Sequence, residues 1–222
     1  MFVVIFEVEP RTGKAEDYLQ LAGRLRPELD KIDGFVEVER FASRLRQGRL
    51  LSLSTWRDEK ALIRWRTMDR HHAAQETGRT AIFADYRLRV GEITADSRVP
   101  EDETLLQQRF DETETGIAKF VGITELSPVA ATFATDREVA ERLGLPASGT
   151  KGIVAREWFD SIANPGKRLL VDRWRNQAAA GRWHLPQIAD AEWRHRQVRI
   201  IRDYGMFDRT EAPQYYPPPP AV

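Results

Sequence analysis

The stretch "WRDEKALIRW" (residues 56–65) returns later in the chain as "WRNQAAAGRW" (residues 174–183). Both read Trp-Arg, three residues, Ala, two residues, Arg-Trp. At the same offset the two halves align without a gap from Phe2 to Trp65, and Gly34, for example, meets Gly152. Chance similarity would not keep tryptophan, glycine and proline in step over such a length. The sequence therefore predicts a tandem duplication, and with it a fold built from two similar units.

The two copies diverge after Trp65. The segment "ADYRLRVGEI" (residues 84–93) matches "AEWRHRQVRI" (residues 191–200), but the second copy reaches it through a shorter connection. The first copy alone contains "TMDRHHAAQETGRTAIF" (residues 67–83), with two adjacent histidines. We therefore expect the chemistry to lie in the first unit and the second unit to be mainly structural.

The composition is that of a globular protein, with 41% hydrophobic and 31% charged residues. Because 34 basic residues balance 34 acidic ones, we expect neither a nucleic-acid partner nor an anionic membrane partner. The absence of cysteine excludes disulfides, thiolate metal sites and a cysteine nucleophile. The apolar run at the start is too short for a signal-peptide core, and no stretch is long enough to span a membrane, so a cytoplasmic protein is expected.

The residue patterns of one unit predict the order β-α-β-β-α-β, the ferredoxin-like plan. Strands are predicted at "FVVIFEVEP" (residues 2–10), "FVEVERFAS" (35–43), "RLLSLSTW" (49–56) and "DYRLRVGEI" (85–93). A first helix is predicted within residues 14–32, and a second, capped by Asp58, is predicted to start at Glu59 with Trp65 in its middle. Such a unit leaves one sheet face uncovered, so two units can pack sheet to sheet.

The predicted fold class is α+β, with two tandem ferredoxin-like units that form an α+β barrel within one chain. The first unit spans residues 1–97 and the second, shortened unit spans residues 118–206. The linker, residues 98–117, is acidic, and part of it is predicted to be helical. The Pro-rich C-terminal tail, residues 207–222, ends in a stretch typical of polyproline II.

Several stretches of the chain resemble the antibiotic biosynthesis monooxygenase superfamily. They are "GFVEVERF" (34–41), "LLSLSTWRDEKALIRW" (50–65), "HHAAQETGR" (71–79), "FADYRLRV" (83–90) and the ending "VRIIRDYGMFDRTEAP" (198–213). The resemblance implies a dimeric α+β barrel. Members include cofactor-free oxygenases acting on phenols and quinols, haem-degrading oxygenases and small-molecule isomerases.

The same resemblance suggests which residues line a site. Trp65 matches a tryptophan at the pocket between helix and sheet, and His72 or His71 is the nearest match to the haem ligand of the haem-degrading branch. On one continuous helix, Ala61, Trp65, Met68 and His72 would share a stripe. We therefore expect Trp65, His72 and His71 to be catalytic, and Ala61 and Met68 to contact the substrate. The alternative is that Trp65 is core and the histidines are surface residues.

Two further residues are predicted to bind substrate, and Arg87 is a weaker candidate beside them. Arg79 could hold an anionic oxygen, since a guanidinium presents a fork of donors, or it could be a plain ion-pair partner. Tyr86 could donate to a substrate hydroxyl, or it could pack at a strand edge. His184 and His195, in the shortened copy, are not predicted to take part. No metal-spaced cluster is found in the sequence, so no metal site is expected.

The leading hypothesis is an oxidoreductase, a cofactor-independent monooxygenase acting on a small aromatic, phenolic or quinol substrate with O2. The alternatives are a haem-binding or haem-degrading monooxygenase, and a non-catalytic small-molecule-binding or dimerisation barrel. Ala61 stands where quinone-forming members carry Asn, and no Asn precedes Asn164 although haem degraders carry one on the first strand. These departures favour the non-catalytic alternative, whereas the retained His-His segment argues for an active site. Two such chains could form a homodimer of intrachain pseudo-dimers.

Overall fold

The computed structural model of the protein describes residues 1–127, 135–142, 146, 149–180 and 193–217. Eight antiparallel strands close into a barrel in the order β1-β3-β2-β6-β7-β5-β8-β4. The strands are β1 (Phe2–Pro10), β2 (Phe35–Ser43), β3 (Leu50–Trp56), β4 (Phe83–Asp96), β5 (Phe120–Leu126), β6 (Ile153–Ser161), β7 (Arg168–Trp174) and β8 (Trp193–Gly205).

Helices cover the outside of the first four strands. They are α1 (Ala15–Leu29), α2 (Glu59–Thr67) and α3 (Asp69–Thr77), followed by a π-helical turn (Gly78–Ile82). The second half contains α4 (Asp136–Arg142) and α5 (Gln177–Ala180). No helix in the described part of the chain is long and apolar enough to cross a membrane.

The two halves repeat one strand order and one register. The first half runs β4-β1-β3-β2 across the sheet and the second runs β8-β5-β7-β6. Phe2 pairs with Trp56 in the first half, and Phe120 pairs with Trp174 in the second. The halves join where β2 meets β6 and where β4 meets β8. The predicted fold class, two ferredoxin-like units closed into one α+β barrel, is therefore confirmed.

Two local predictions are wrong. Trp65 does not lie in the middle of the second helix, which ends at Thr67, because Met68 is extended (φ −66°, ψ 132°) and separates α2 from α3. No part of residues 97–119 is helical. Instead the linker is held to the barrel by hydrogen bonds from its backbone. The buried Glu92 carboxylate of the barrel accepts from the N–H groups of Gln108 and Arg109.

The barrel interior holds the main core. Its side chains come from both halves: Met1, Val3, Ile5, Phe41, Leu51, Leu53, Ile93, Val121, Ile123, Phe159, Leu169, Val171, Val198 and Ile200. Beyond this apolar layer, Glu7 is 1% exposed and lies 2.8, 2.5 and 2.6 Å from guanidinium nitrogens of Arg49, Arg89 and Arg173. Burial alone would raise the pKa of Glu7, but the three guanidiniums outweigh it and lower the pKa to about 2.

Replacement of Gly34 by alanine should destabilise the protein more than replacement of Gly13. Both glycines have positive φ, 87° and 76°. A Cβ at Gly34 would lie 2.8 Å from the Cβ of Ala61 and would push α2 off the sheet, whereas a Cβ at Gly13 meets nothing within 4 Å. Urea unfolding should show Gly34→Ala losing about 1–3 kcal/mol more than Gly13→Ala. Equal losses would mean that α2 does not need this close approach.

Glu7→Gln should destabilise the barrel by about 3 kcal/mol at pH 7, because it removes the buried carboxylate that three guanidiniums share. Arg49, Arg89 and Arg173 would each keep one other carboxylate partner, Glu9, Asp203 and Glu157 respectively. Because the folded-state pKa is lowered, this stabilisation is complete above about pH 4.5 and disappears as the pH falls toward 2. Glu9→Gln is the matched control on the same strand, since Glu9 is 47% exposed and bonds only Arg49. Urea unfolding from pH 7 to pH 3 measures both; a pH-independent Glu7→Gln difference would contradict the assignment.

Candidate functional site

A cavity of about 200 Å³ lies between the outer face of the first sheet and helices α1, α2 and α3. Its walls are largely apolar. They include Val4, Phe6, Tyr18, Leu21, Ala22, Leu25, Leu29, Val38, Trp56, Leu62, Phe83, Leu88 and Val90. These residues alternate along the strands with those of the barrel core, so the first sheet is buried on both faces. The cavity is therefore in the first half, where the sequence predicted the chemistry to lie.

The break at Met68 brings Trp65 and His71 together. The α3 helix turns back after the break, and the two rings stack with centroids 4.3 Å apart and 19° between their planes. His71 Nδ1 lies 3.0 Å from the carbonyl oxygen of Trp65, so in the tautomer that donates there Nε2 keeps its lone pair. Both rings line the cavity.

Burial, with a smaller effect of the neighbouring His72, lowers the pKa of His71 to about 4, although the hydrogen bond to the Trp65 carbonyl opposes the shift. The residue is only partly buried as a whole, but its ring is enclosed by protein atoms. Near pH 7 the imidazole is therefore neutral. It can accept or donate a hydrogen bond in the cavity, but it is too weak a base to deprotonate a phenol by itself.

Three predicted site residues do not line the cavity. His72 is exposed, and it stacks on Tyr216 with ring centroids 5.4 Å apart. Met68 lies at the helix break, outside the stripe that a continuous helix would have made. Ala61 is fully buried, where its Cβ faces Gly34. The predicted stripe is wrong because it assumed one unbroken helix.

Arg79 and Tyr86 do meet in the cavity. Arg79 is 4% exposed, and its Nη1 donates to the Tyr86 hydroxyl at 2.7 Å and to the Met206 carbonyl at 3.3 Å. The π-helical turn directs Arg79 inward, and such turns are frequent at functional sites. Arg209, after β8, donates to the same hydroxyl at 2.9 Å. The structural alternatives were an ion pair for Arg79 and packing at a strand edge for Tyr86. Neither describes this arrangement.

Four arginines line the cavity: Arg40, Arg66, Arg79 and Arg209. None of them forms an ion pair with a carboxylate of the described residues, and no aspartate or glutamate is among the lining residues found there. The Nε atoms of Arg40, Arg66 and Arg209 are buried without a hydrogen-bond partner. Scaffold arginines such as Arg196 and Arg199 also have an unpartnered Nε, but each of those pairs with a carboxylate. Because a partly buried guanidinium without a carboxylate is costly, the cavity can receive an anion.

The sequence reasoning missed Arg40, Arg66 and Arg209, together with Tyr204 and Tyr216, which also line the cavity. For Arg209 and Tyr204 the signal is the family-like ending at residues 198–213, and for Arg40 it is the family-like stretch at residues 34–41. Burial raises the pKa of Tyr204 to about 12, and Tyr86 adds to the shift while Arg209 and Arg66 oppose it. Tyr204 therefore stays protonated at the cavity wall.

The remaining candidates lie elsewhere. Arg87 pairs with Asp203 at 2.5 Å and with Asp208 at 3.2 Å, so its role is structural. His195 is buried beside β5, with Nδ1 2.9 Å from Thr124 Oγ1. His184 lies outside the described residues. Within those residues, no group of three or more His, Cys, Asp or Glu side chains is arranged to hold a metal ion.

Comparisons with known proteins bear on this barrel and its cavity. The family model described as antibiotic biosynthesis monooxygenase matches residues 1–77. The curated "Jasmonate monooxygenase ABM" of Pyricularia oryzae is 41% identical over 98% of this chain and 99% of its own length. Among solved structures, aldoxime dehydratase is 11% identical over 90% of this chain and 80% of its own, with a TM-score of 0.56, a likeness of fold alone. By its identity to the Pyricularia protein over nearly its full length, the chain belongs to the antibiotic biosynthesis monooxygenase family.

Proposed function

We propose that this protein is a monooxygenase that uses O2 to oxidise a small, mostly apolar molecule with one acidic group, bound in the first-half cavity. The observation that carries the proposal is the set of four arginines that have no carboxylate partner in the described part of the chain and line a largely apolar cavity. Apolar walls bury a hydrocarbon skeleton, and guanidinium forks hold a carboxylate or stabilise an enolate or phenolate.

The Pyricularia relative supports this class of substrate, since its name states activity on jasmonate. Jasmonate is a compact cyclic ketone with an apolar side chain and one carboxylate. The apolar walls of the cavity suit its carbon skeleton, and the arginines suit its carboxylate. A phenol or quinol fits the same chemistry when ionised. We take jasmonate as the first probe and a quinol as the second.

The proposed reaction needs no resident cofactor if the substrate supplies all four electrons that O2 takes up. Oxidation of a methylene beside a carbonyl does so, because one methylene group and one O2 molecule give one new carbonyl group and one water molecule. The residues here bind the anion, orient it and exclude water. The arginines favour the substrate anion that reacts with O2, while the neutral His71 and Trp65 form the wall beside it.

Haem is the alternative cofactor, and His71 is the residue that could ligate it. Its Nδ1 is held by the Trp65 carbonyl, which leaves Nε2 available to a metal. The cavity volume of about 200 Å³ is, however, below the roughly 300–1,000 Å³ of pockets that hold drug-sized ligands, and a haem is larger than most of these. A small organic anion needs less space than the macrocycle, and this supports the cofactor-free proposal over haem.

The matched ligands jasmonate and methyl jasmonate test the proposal directly. They share the carbon skeleton, but only jasmonate carries a charge for the four arginines. We expect calorimetry to show at least tenfold tighter binding of jasmonate, about 1.4 kcal/mol or more. An oxygen electrode should record uptake with jasmonate or the quinol without added reductant. Uptake that requires NADPH would overturn the cofactor-free step, and equal binding of acid and ester would overturn the anionic substrate.

The pH dependence of activity tests the role of His71. Because burial holds its pKa at about 4, the ring does not change charge between pH 5.5 and 8. We expect His71→Asn to lower kcat/KM by about tenfold, a constant factor across this range, through loss of the stack under Trp65. Arg70→Gln, on the same turn but 73% exposed, is the control and should change nothing. A break near pH 6.5 that disappears in His71→Asn would show that His71 titrates as a base.

A further inference from the structure

The C-terminal segment, residues 207–217, covers one end of the cavity. Tyr216 holds it to α3, because its hydroxyl donates to Gln75 Oε1 at 2.6 Å and lies 3.0 Å from His72 Nδ1. Within the segment, Arg209 Nη2 donates to the Gln214 carbonyl at 2.8 Å. From the cavity side, Arg79 Nη2 donates to the Pro217 carbonyl at 3.3 Å. Nearer β8 the segment is anchored more firmly, since the Glu211 carboxylate accepts hydrogen bonds from Thr113, Glu114, Thr115 and Asp203, and Asp208 pairs with Arg87. Only its end, around Tyr216, is attached by a few polar contacts.

Two guanidiniums, one from the cavity wall and one from this segment, meet at the same place. Arg79 and Arg209 both donate to the Tyr86 hydroxyl, at 2.7 and 2.9 Å. Both also lie over the Tyr216 ring, 5.0 and 5.5 Å from its centroid. Like charges held this close repel each other unless an anion lies between them. Cation–π contact with Tyr216 offsets only part of this repulsion.

The donors around this point are incompletely used. The Tyr86 oxygen accepts two hydrogen bonds, and its own O–H has no acceptor among the described residues. Arg209 Nε is buried and has no partner. A carboxylate has two oxygens with several lone pairs, and it accepts from guanidinium forks and a phenol together.

We propose that Arg79, Arg209 and the Tyr86 hydroxyl form the carboxylate-binding end of the substrate site, and that the C-terminal segment is part of that site because it carries Arg209 and Tyr216. The inference rests on the proposed function for its substrate class. It leaves Arg40 in a separate part of the cavity, because Arg40 lies on β2, four strands from β8 in the barrel order. His72, expected to be catalytic, instead holds the segment through Tyr216.

The experiment is a calorimetric titration of the full chain with jasmonate and methyl jasmonate, in the wild type and three variants. Arg209→Gln should weaken jasmonate at least tenfold and leave the ester within twofold. Tyr216→Ala should also weaken jasmonate binding, because it removes the ring that packs on Arg79 and Arg209 and detaches the end of the segment from α3. Tyr215→Ala is the matched control, since the neighbouring tyrosine is 86% exposed, and it should bind both ligands as the wild type does. Circular dichroism melting verifies that each variant is folded.

The outcomes separate this inference from the proposed function. Jasmonate bound equally by Arg209→Gln and the wild type would overturn the carboxylate site. So would an equal loss of acid and ester binding. If binding depends on Arg209 but no oxygen is consumed, the carboxylate site stands and the monooxygenase proposal falls. If oxygen uptake is the same in Arg209→Gln, with unchanged KM, the function stands and the carboxylate site falls.

Discussion

The structure depends on one constraint, that a ferredoxin-like sheet with helices on one face must bury its other face. Here the second half supplies the cover, and the interior is shared by Val3, Ile5 and Phe41 from one side and Val121, Ile123 and Phe159 from the other. At roughly 25 cal/mol for each Å² of apolar surface removed from water, burial of these side chains is the largest favourable contribution. Closure also buries charges such as Glu7, which requires the guanidiniums of both halves around it.

Closure of the barrel also positions the site. The β2–β6 junction pairs only Phe41, Ala42 and Ser43 with their partners. The β4–β8 junction is much longer, from Arg87 opposite Gly205 to Asp96 opposite Arg196. Because β8 runs beside β4 along this length, Tyr204 and the segment after it arrive at the outer face of the first sheet. The cavity of the first half is therefore completed by the end of the second.

Much of this architecture could be predicted from the sequence, because short-range patterns determine it. The first strand ends at Pro10 as predicted, and the Asp58 side chain caps α2 by accepting from the Ala61 N–H at 2.8 Å. The break at Met68 could not be predicted, since no proline or glycine marks it. The Thr67 hydroxyl donates to the Ile63 carbonyl at 2.9 Å, a contact common where helices end or bend. That break places His71 rather than His72 in the cavity. The proposed anion-binding site was harder still to predict, because Arg79 and Arg209 come together only through the fold.

The pairing of arginines separates scaffold from site in this chain. Around the barrel, Arg194 pairs with Asp96, Arg196 with Glu125 and Arg199 with Glu92, so each buried charge is neutralised. The outer face of the second sheet follows the same rule, since Asp172 accepts from Arg156 at 2.5 Å. In the internal repeat, Asp172 corresponds to Ser54 of the first half and Arg156 corresponds to Val38. Ser54 and Val38 line the cavity and carry no charge. The formal charges of the chain balance overall, but four arginines that have no carboxylate partner among the described residues line one largely apolar cavity. Among these arginines Arg79 is buried, and a buried guanidinium without a carboxylate lowers stability unless an anion neutralises it, which is the role proposed for the ligand.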